Sequence, residues 1–201
     1  MITFKQLLME MPMIIDSTTI SDLSNAEYNR ELLLKIRTTF SRAPDIIYKD
    51  SNIEIIHKRL GDGGEVIAAD YKQQLIRYYM RYGRSAPNMA VQFDVWKDSN
   101  YKFSIDVVSY VFFNFLLKNF NFIRTDSNQT TAGKKMWIRL LKQAAPKYNI
   151  YLADANPGIE KIEQYNSKEG PIDKWINARE NIIWGKDPKH ADIHLVIEGR
   201  K

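Results

Sequence analysis

"FIRTDSNQTTAGKKMWIRLL", residues 122–141, decides how the second half of this chain folds. Phe122 and Ile123 belong to a short apolar run, "NFIRTD", that reads as a strand over 121–126. A polar turn follows. From Thr130 the texture becomes helical to residue 144, with Met136, Trp137 and Leu140 toward a core and the lysines outward. The next strand is "YNIYLAD", 148–154. Gly133 and Lys134 at the helix opening raise one chemical question: does this turn cradle a phosphate? A Walker A loop needs Gly, four residues, then Gly-Lys-Ser/Thr. Asn128 stands at the first glycine's place and Lys135 where Ser or Thr would coordinate magnesium, so that motif is not present.

Working outward, the middle of the chain is a meander. "NIEIIHKRL" (52–60) runs into the turn "GDGG", and "EVIAADY" (65–71), "LIRYYMRY" (75–82) and "NMAVQFDVW" (88–96) continue it. Three or four antiparallel strands are expected. Before them, 25–40 reads as a helix with Asn25 as N-cap and Leu32, Leu33, Ile36 and Phe40 on one side. After them, 105–118 is apolar almost all round, the mark of a helix packed between layers. Pro171 opens another helix over 171–184, and "HADIHLVIEG" (190–199) reads as the last strand. Strands in a run, then alternating elements, predict an α+β fold: a mixed, mainly antiparallel central sheet flanked by helices. Residues 1–24 read as an N-terminal helix with an irregular connection, and 25–201 as a single domain.

The composition narrows the function classes. With 44% hydrophobic and 12% aromatic residues in 201, the chain can bury a real core. The absence of cysteine excludes disulfides, thiolate metal sites and a cysteine nucleophile. A net charge of +5 permits anionic partners without requiring them, because 24 acidic residues interleave with 29 basic ones. The most apolar stretch, 107–117, is about half the ~20 residues of a membrane span, and the N-terminus lacks a basic n-region, so no membrane partner or secretory signal is expected.

The element order resembles the Gcn5-related N-acetyltransferase (GNAT) fold, in which an antiparallel meander is followed by a helix, a strand, a second helix and two closing strands. The resemblance covers about residues 25–199. Its most distinctive part is the opening stretch, which is similar to GNAT-like proteins of tailed bacteriophages: Thr125, Asp126, Gln129, Thr130, Gly133 and Trp137 match. The family holds the acetyl-CoA pyrophosphate with Arg/Gln-x-x-Gly-x-Gly/Ala between the fourth strand and the buried helix. Here that segment, "WKDSNYKFSIDVVSYV" (96–111), has no glycine, and Asp98 and Asp106 offset Lys97 and Lys102. The resemblance and this departure together imply a noncatalytic GNAT-like phage protein, virion-associated or protein-binding, without the usual acetyl-CoA site. The alternative is an acyltransferase that moves an acyl group from a CoA thioester to an amine. Acetyl-CoA would then be the cofactor, and Ser127, Gln129, Thr130, Thr131, Gly133 and Lys134 would line its pocket. A protein partner is expected, in the host-cell cytoplasm or the virion interior. "TFKQLLME", at the N-terminus, is similar to the helix that directs internal proteins into some phage heads, with Leu8-Met9-Glu10 as a cleavage signal; an ordinary docking helix is the preferred reading.

Other constellations are weaker. For acyl transfer, Glu54, Asp94 and Tyr110 have the right type for a base, and Tyr148 and Tyr151 for a proton donor. His190, Asp192 and His194 fall on one face of a strand, and that face reads as the wet one rather than as a metal site. His57 reads as a surface residue. Lys72, Arg77, Arg81 and Arg84 interleave with four tyrosines over 71–84, which suits single-stranded nucleic acid. Ordinary sheet amphipathicity, with Ile76, Tyr78 and Met80 on one face and Arg77, Tyr79 and Arg81 on the other, explains the same pattern.

Overall fold

The computed structural model describes residues 20–38, 45–125, 130–154, 160–184 and 192–199. The fold is α+β. Its strands are β1 (Asp45–Lys49), β2 (Ile53–Leu60), β3 (Gly63–Asp70), β4 (Leu75–Ala86), β5 (Met89–Lys97), β6 (Phe122–Arg124), β7 (Asn149–Asp154), β8 (Glu160–Gln164) and β9 (Ile193–Glu198). They form a mixed, mainly antiparallel sheet in the order β1-β2-β3-β4-β5-β6-β9-β7-β8. β5 and β6 run parallel, and β9 pairs antiparallel with both β6 and β7. The helices are α1 (Ala26–Thr38), α2 (Val107–Ser109, Tyr110–Leu116 and Leu117–Asn119 in succession), α3 (Thr131–Ala144), α4 (Ile172–Asn177) and α5 (Glu180–Trp184). None of the described helices is long and apolar enough to cross a membrane.

The chain divides into two compact units, Met1–Gly83 with Phe93–Val108, and Arg84–Gln92 with Ser109–Lys201. In the first unit α1 forms as its periodicity requires. Asn25 caps it, accepting the N–H groups of Glu27 and Tyr28 at 3.0 and 3.3 Å. Leu32, Leu33 and Ile36 pack with Ile56, Ile67, Ala69, Ile76 and Tyr79 of the sheet. Each such side chain contributes about 1.5–3 kcal/mol relative to leaving it in water.

Ile76 does not share a face with Tyr78 and Met80, as simple alternation predicts. Ala68 pairs with Tyr78 but Ala69 with Ile76, so Arg77 is an extra residue in the strand. This bulge turns Ile76 to the α1 side and weakens the ladder locally. Asn29, buried on α1, repairs it: its amide donates to the Ile76 carbonyl at 3.0 Å and accepts the Ile76 N–H at 2.6 Å.

In the second unit, α2 is a π-helix over Tyr110–Leu116, with the Leu117 N–H reaching back to the Phe112 carbonyl. Trp137 of α3 is fully buried; its ring meets Phe112 edge-on at 5.3 Å and its N–H donates to Gln92 Oε1 at 3.1 Å. The expected helix over 171–184 is two pieces, α4 and α5. Arg179 between them donates to Glu163 of β8 at 2.7 Å, as does Trp175 at 3.1 Å.

β1 and β8, the outer strands of the sheet, are both short. Their pairing shifts at Ile47, between Ile46 and Tyr48, and at Ile162, opposite the step from Leu152 to Ala153. Bulges and charged ends at both edges discourage a further strand from adding there.

Candidate functional site

The segment between β5 and α2 is where the resemblance requires a pyrophosphate loop. Asp98 donates its N–H to the Arg77 carbonyl at 2.9 Å. Its carboxylate accepts the Asn100 N–H at 2.9 Å and Arg77 at 2.6 Å. Arg77 lies over the Tyr101 ring at 4.8 Å, Tyr101 meets Phe103 edge-on at 4.9 Å, and the Lys97 ammonium sits 5.3 Å from the Phe103 centroid. Ser104 donates to Asp50 at 2.5 Å. That bond, with the N–H groups of Ile53 and Asn52 and the Tyr48 hydroxyl, holds the Asp50 carboxyl down to about 2. No residue of 98–106 has positive φ, so the alternating left-handed turns of a backbone anion nest are not built here. The polar groups named are engaged by residues of the first unit.

In the opening stretch, Thr125 is fully buried and locked to β9: its N–H donates to the Leu195 carbonyl at 3.0 Å and its hydroxyl accepts the Leu195 N–H at 3.3 Å. Asp126, Ser127, Asn128 and Gln129 lie outside the described residues. Thr130 caps α3, its Oγ1 accepting the Gly133 N–H at 3.1 Å. Lys134 pairs with Glu180 at 3.5 Å and lies over the Trp184 ring at 5.4 Å. Thr131 is exposed on the first turn. The Gly133 N–H is therefore taken up by Thr130, and Lys134 is paired with a carboxylate.

Of the acid–base candidates, the two carboxylates are engaged in ion pairs. Glu54 accepts from Arg37 at 2.5 Å and from Tyr71 at 3.2 Å, and Asp94 pairs with Arg81 at 2.5 Å. Tyr110 lies in the π segment, and Tyr148 stacks on Phe113 at 5.5 Å. Tyr151 is fully buried, which, with Glu198 nearby, raises its phenol far above the usual range.

Both described histidines are buried rather than on the wet face. His194 is 4% exposed because β9 is an inner strand. Its Nε2 lies 2.9 Å from Arg124, and burial together with that guanidinium pulls its pKa down to about 4. Asp192 is exposed, His190 lies outside the described residues, and no metal-binding group of three occurs among the described residues. His57 meets the Tyr82 hydroxyl at 2.8 Å. The contact requires Gly64, where a Cβ would stand 2.7 Å from His57 Nε2 and 2.8 Å from the Tyr82 oxygen. Tyr78, Tyr79 and Tyr82 are likewise buried, so these rings of the basic stretch are not available to stack on bases.

One constellation escaped the sequence reading. Lys58 stands opposite Glu65 in the sheet register, and Glu65 opposite Arg81, which forms an ion pair with Asp94. The row alternates in charge over four strands of the first unit. At its centre Glu65 is fully buried and accepts the Tyr79 hydroxyl at 2.8 Å. The signal was present in the tight turn Gly61–Asp62, which fixes the register and sets Lys58 opposite Glu65. Chemically the row is a line of alternating charges, buried at Glu65 and partly exposed at Arg81 and Asp94, with the Tyr79 phenol held protonated by burial and by Glu65.

No protein-family model, curated protein or solved structure matches this chain.

Proposed function

We propose that the chain is a noncatalytic GNAT-like phage protein, virion-associated or protein-binding, whose scaffold no longer holds acetyl-CoA in the usual way. The observation that carries this reading is the segment 98–106. Its Asp98 carboxylate and Ser104 hydroxyl are tied to Arg77 and Asp50, Lys97 just before it lies over Phe103, and it has neither glycine nor positive φ. A pyrophosphate held by successive backbone N–H groups needs close approach that such a closed loop denies.

The order of elements supports the scaffold part of the reading. A helix, an antiparallel meander, an apolar helix, a strand, a helix and two further strands follow one another. β1, β8 and the helices α4 and α5 between the last two strands are additions to that order. The Thr130 cap, which takes up the Gly133 N–H, supports the loss of a cofactor role at the second helix opening.

The test is thiol release from acetyl-CoA over a panel of primary amines, followed continuously at neutral pH. The reading expects release at the buffer rate with every amine. Release that scales with protein concentration would overturn it in favour of an acyltransferase.

A further inference from the structure

Within the second unit, the C-terminal end of α3, the start of β7 and the end of β8 line an open cleft of about 470 Å³. That is the size of a small-ligand site. Its walls are Tyr148, Asn149, Gln164, Tyr165, Asn166 and Ser167, closed at one side by Glu169. We propose that this cleft binds a neutral saccharide of one or two rings.

Three features select that chemistry. First, the two aromatic walls are braced. Tyr148 stacks on Phe113 with 17° between the rings, and Tyr165 packs against Trp175 at 5.7 Å. The Tyr165 hydroxyl is fixed on the Gly170 carbonyl at 2.8 Å, and Gly170 makes that return with φ of +112°. Rigid aromatic rings offer a face to the C–H groups of a pyranose at little entropic cost.

Second, the polar lining is amide and hydroxyl. Gln164 presents a donor and an acceptor side by side, which matches the paired hydroxyls of a sugar, while Asn166 keeps its amide N–H groups and Asn149 its amide oxygen after bonding Lys168 and Glu198. Gln164 and Ser167 make no side-chain hydrogen bond to another described residue, so they are available to a ligand.

Third, the lining contains no lysine or arginine, and its single charge is the carboxylate of Glu169. That carboxylate accepts from sugar hydroxyls and repels phosphates, which sets nucleotides aside. Glu163, immediately before the cleft, is bound to Arg179 and Trp175, so β8 is anchored and the wall it supplies is preformed.

The experiment is saturation-transfer NMR on the full chain with glucose, galactose, N-acetylglucosamine and maltose, with adenosine monophosphate and trialanine as controls. Trp175 fluorescence supplies the titration curve. The proposal expects transfer to at least one sugar, and affinity weakened about tenfold in both Gln164→Ala and Tyr148→Leu. Gln164 is exposed, so its variant keeps the fold even if Tyr148→Leu does not. Absence of transfer to every sugar would overturn the proposal, as would sugar binding that Gln164→Ala leaves unchanged. Binding of the nucleotide or the peptide in the cleft, in place of a sugar, would overturn it too.

Discussion

Ser104 donates its hydroxyl to Asp50, 54 residues earlier in the chain, at 2.5 Å. This bond ties the segment between β5 and α2 to the turn before β2, where a GNAT enzyme would need an open, glycine-built loop. It is also the largest cause of the lowered Asp50 pKa. A carboxylate whose folded pKa lies below its unfolded value stabilises the fold above the unfolded pKa, and loses that contribution as pH falls through the folded one. Ser104→Ala should therefore cost about 1 kcal/mol at pH 7. The difference from wild type should shrink between about pH 4 and pH 2. Urea denaturation of both proteins across that range measures it; an equal cost at pH 7 and pH 2 would contradict the account.

His194 gives a second pH dependence in a different window. Burial and Arg124 depress its pKa from 6.5 to about 4, against smaller opposing effects from Asp192 and Asp154. Above pH 6.5 both folded and unfolded imidazoles are neutral and the group contributes no pH dependence. Below it the unfolded chain takes up a proton that the folded chain refuses, so stability falls as pH drops from 6.5 through about 4. The loss reaches up to about 3 kcal/mol for a shift of this size. In His194→Gln the loss over this window should be smaller than in wild type by that amount. Chemical denaturation at pH 7.5 and pH 4.5 gives the comparison, and identical slopes in the two proteins would refute it.

Glu65 and Tyr79 should be strongly coupled. Glu65→Ala removes the acceptor of the buried Tyr79 hydroxyl, a loss of about 1–3 kcal/mol. Tyr79→Phe should cost about 1–3 kcal/mol, because the carboxylate loses its donor. The double variant should cost less than the sum of the singles, with a coupling energy of at least about 0.5 kcal/mol. Strict additivity would show that the 2.8 Å contact carries no energy.

The Thr130 cap is a separable claim. Thr130→Ala should lower stability by about 0.5–2 kcal/mol, and Thr130→Ser should restore most of it. Thermal unfolding reads both. A neutral Thr130→Ala would mean that the Gly133 N–H finds another acceptor.

Much of the fold was legible because it depends on local pattern. Leu32, Leu33 and Ile36 mark α1, the GDGG turn marks the β2–β3 hairpin, and Thr130 to Ala144 reads directly as α3. β1 and β8 were not legible. "EKIEQ" has one apolar residue, and it is a strand because β7 pairs with it, not because of its own propensity. The bulge at Arg77 was hidden for a similar reason, since Asn29, far away in sequence, satisfies the backbone beside it. The histidines read as surface residues because their burial is set by distant partners, Tyr82 and Arg124. At the candidate site, the missing glycines were visible in the sequence. The ties of Asp98, Lys97 and Ser104 were not, because each is a long-range contact or a ring geometry.

The most direct test of the central claim is calorimetric titration of acetyl-CoA and of free CoA into the full chain at low salt. A closed segment at 98–106 predicts no heat of binding up to millimolar ligand, with wild type and Ser104→Ala alike. Micromolar binding of either ligand to the wild-type chain would contradict the claim and return the protein to the acyltransferases.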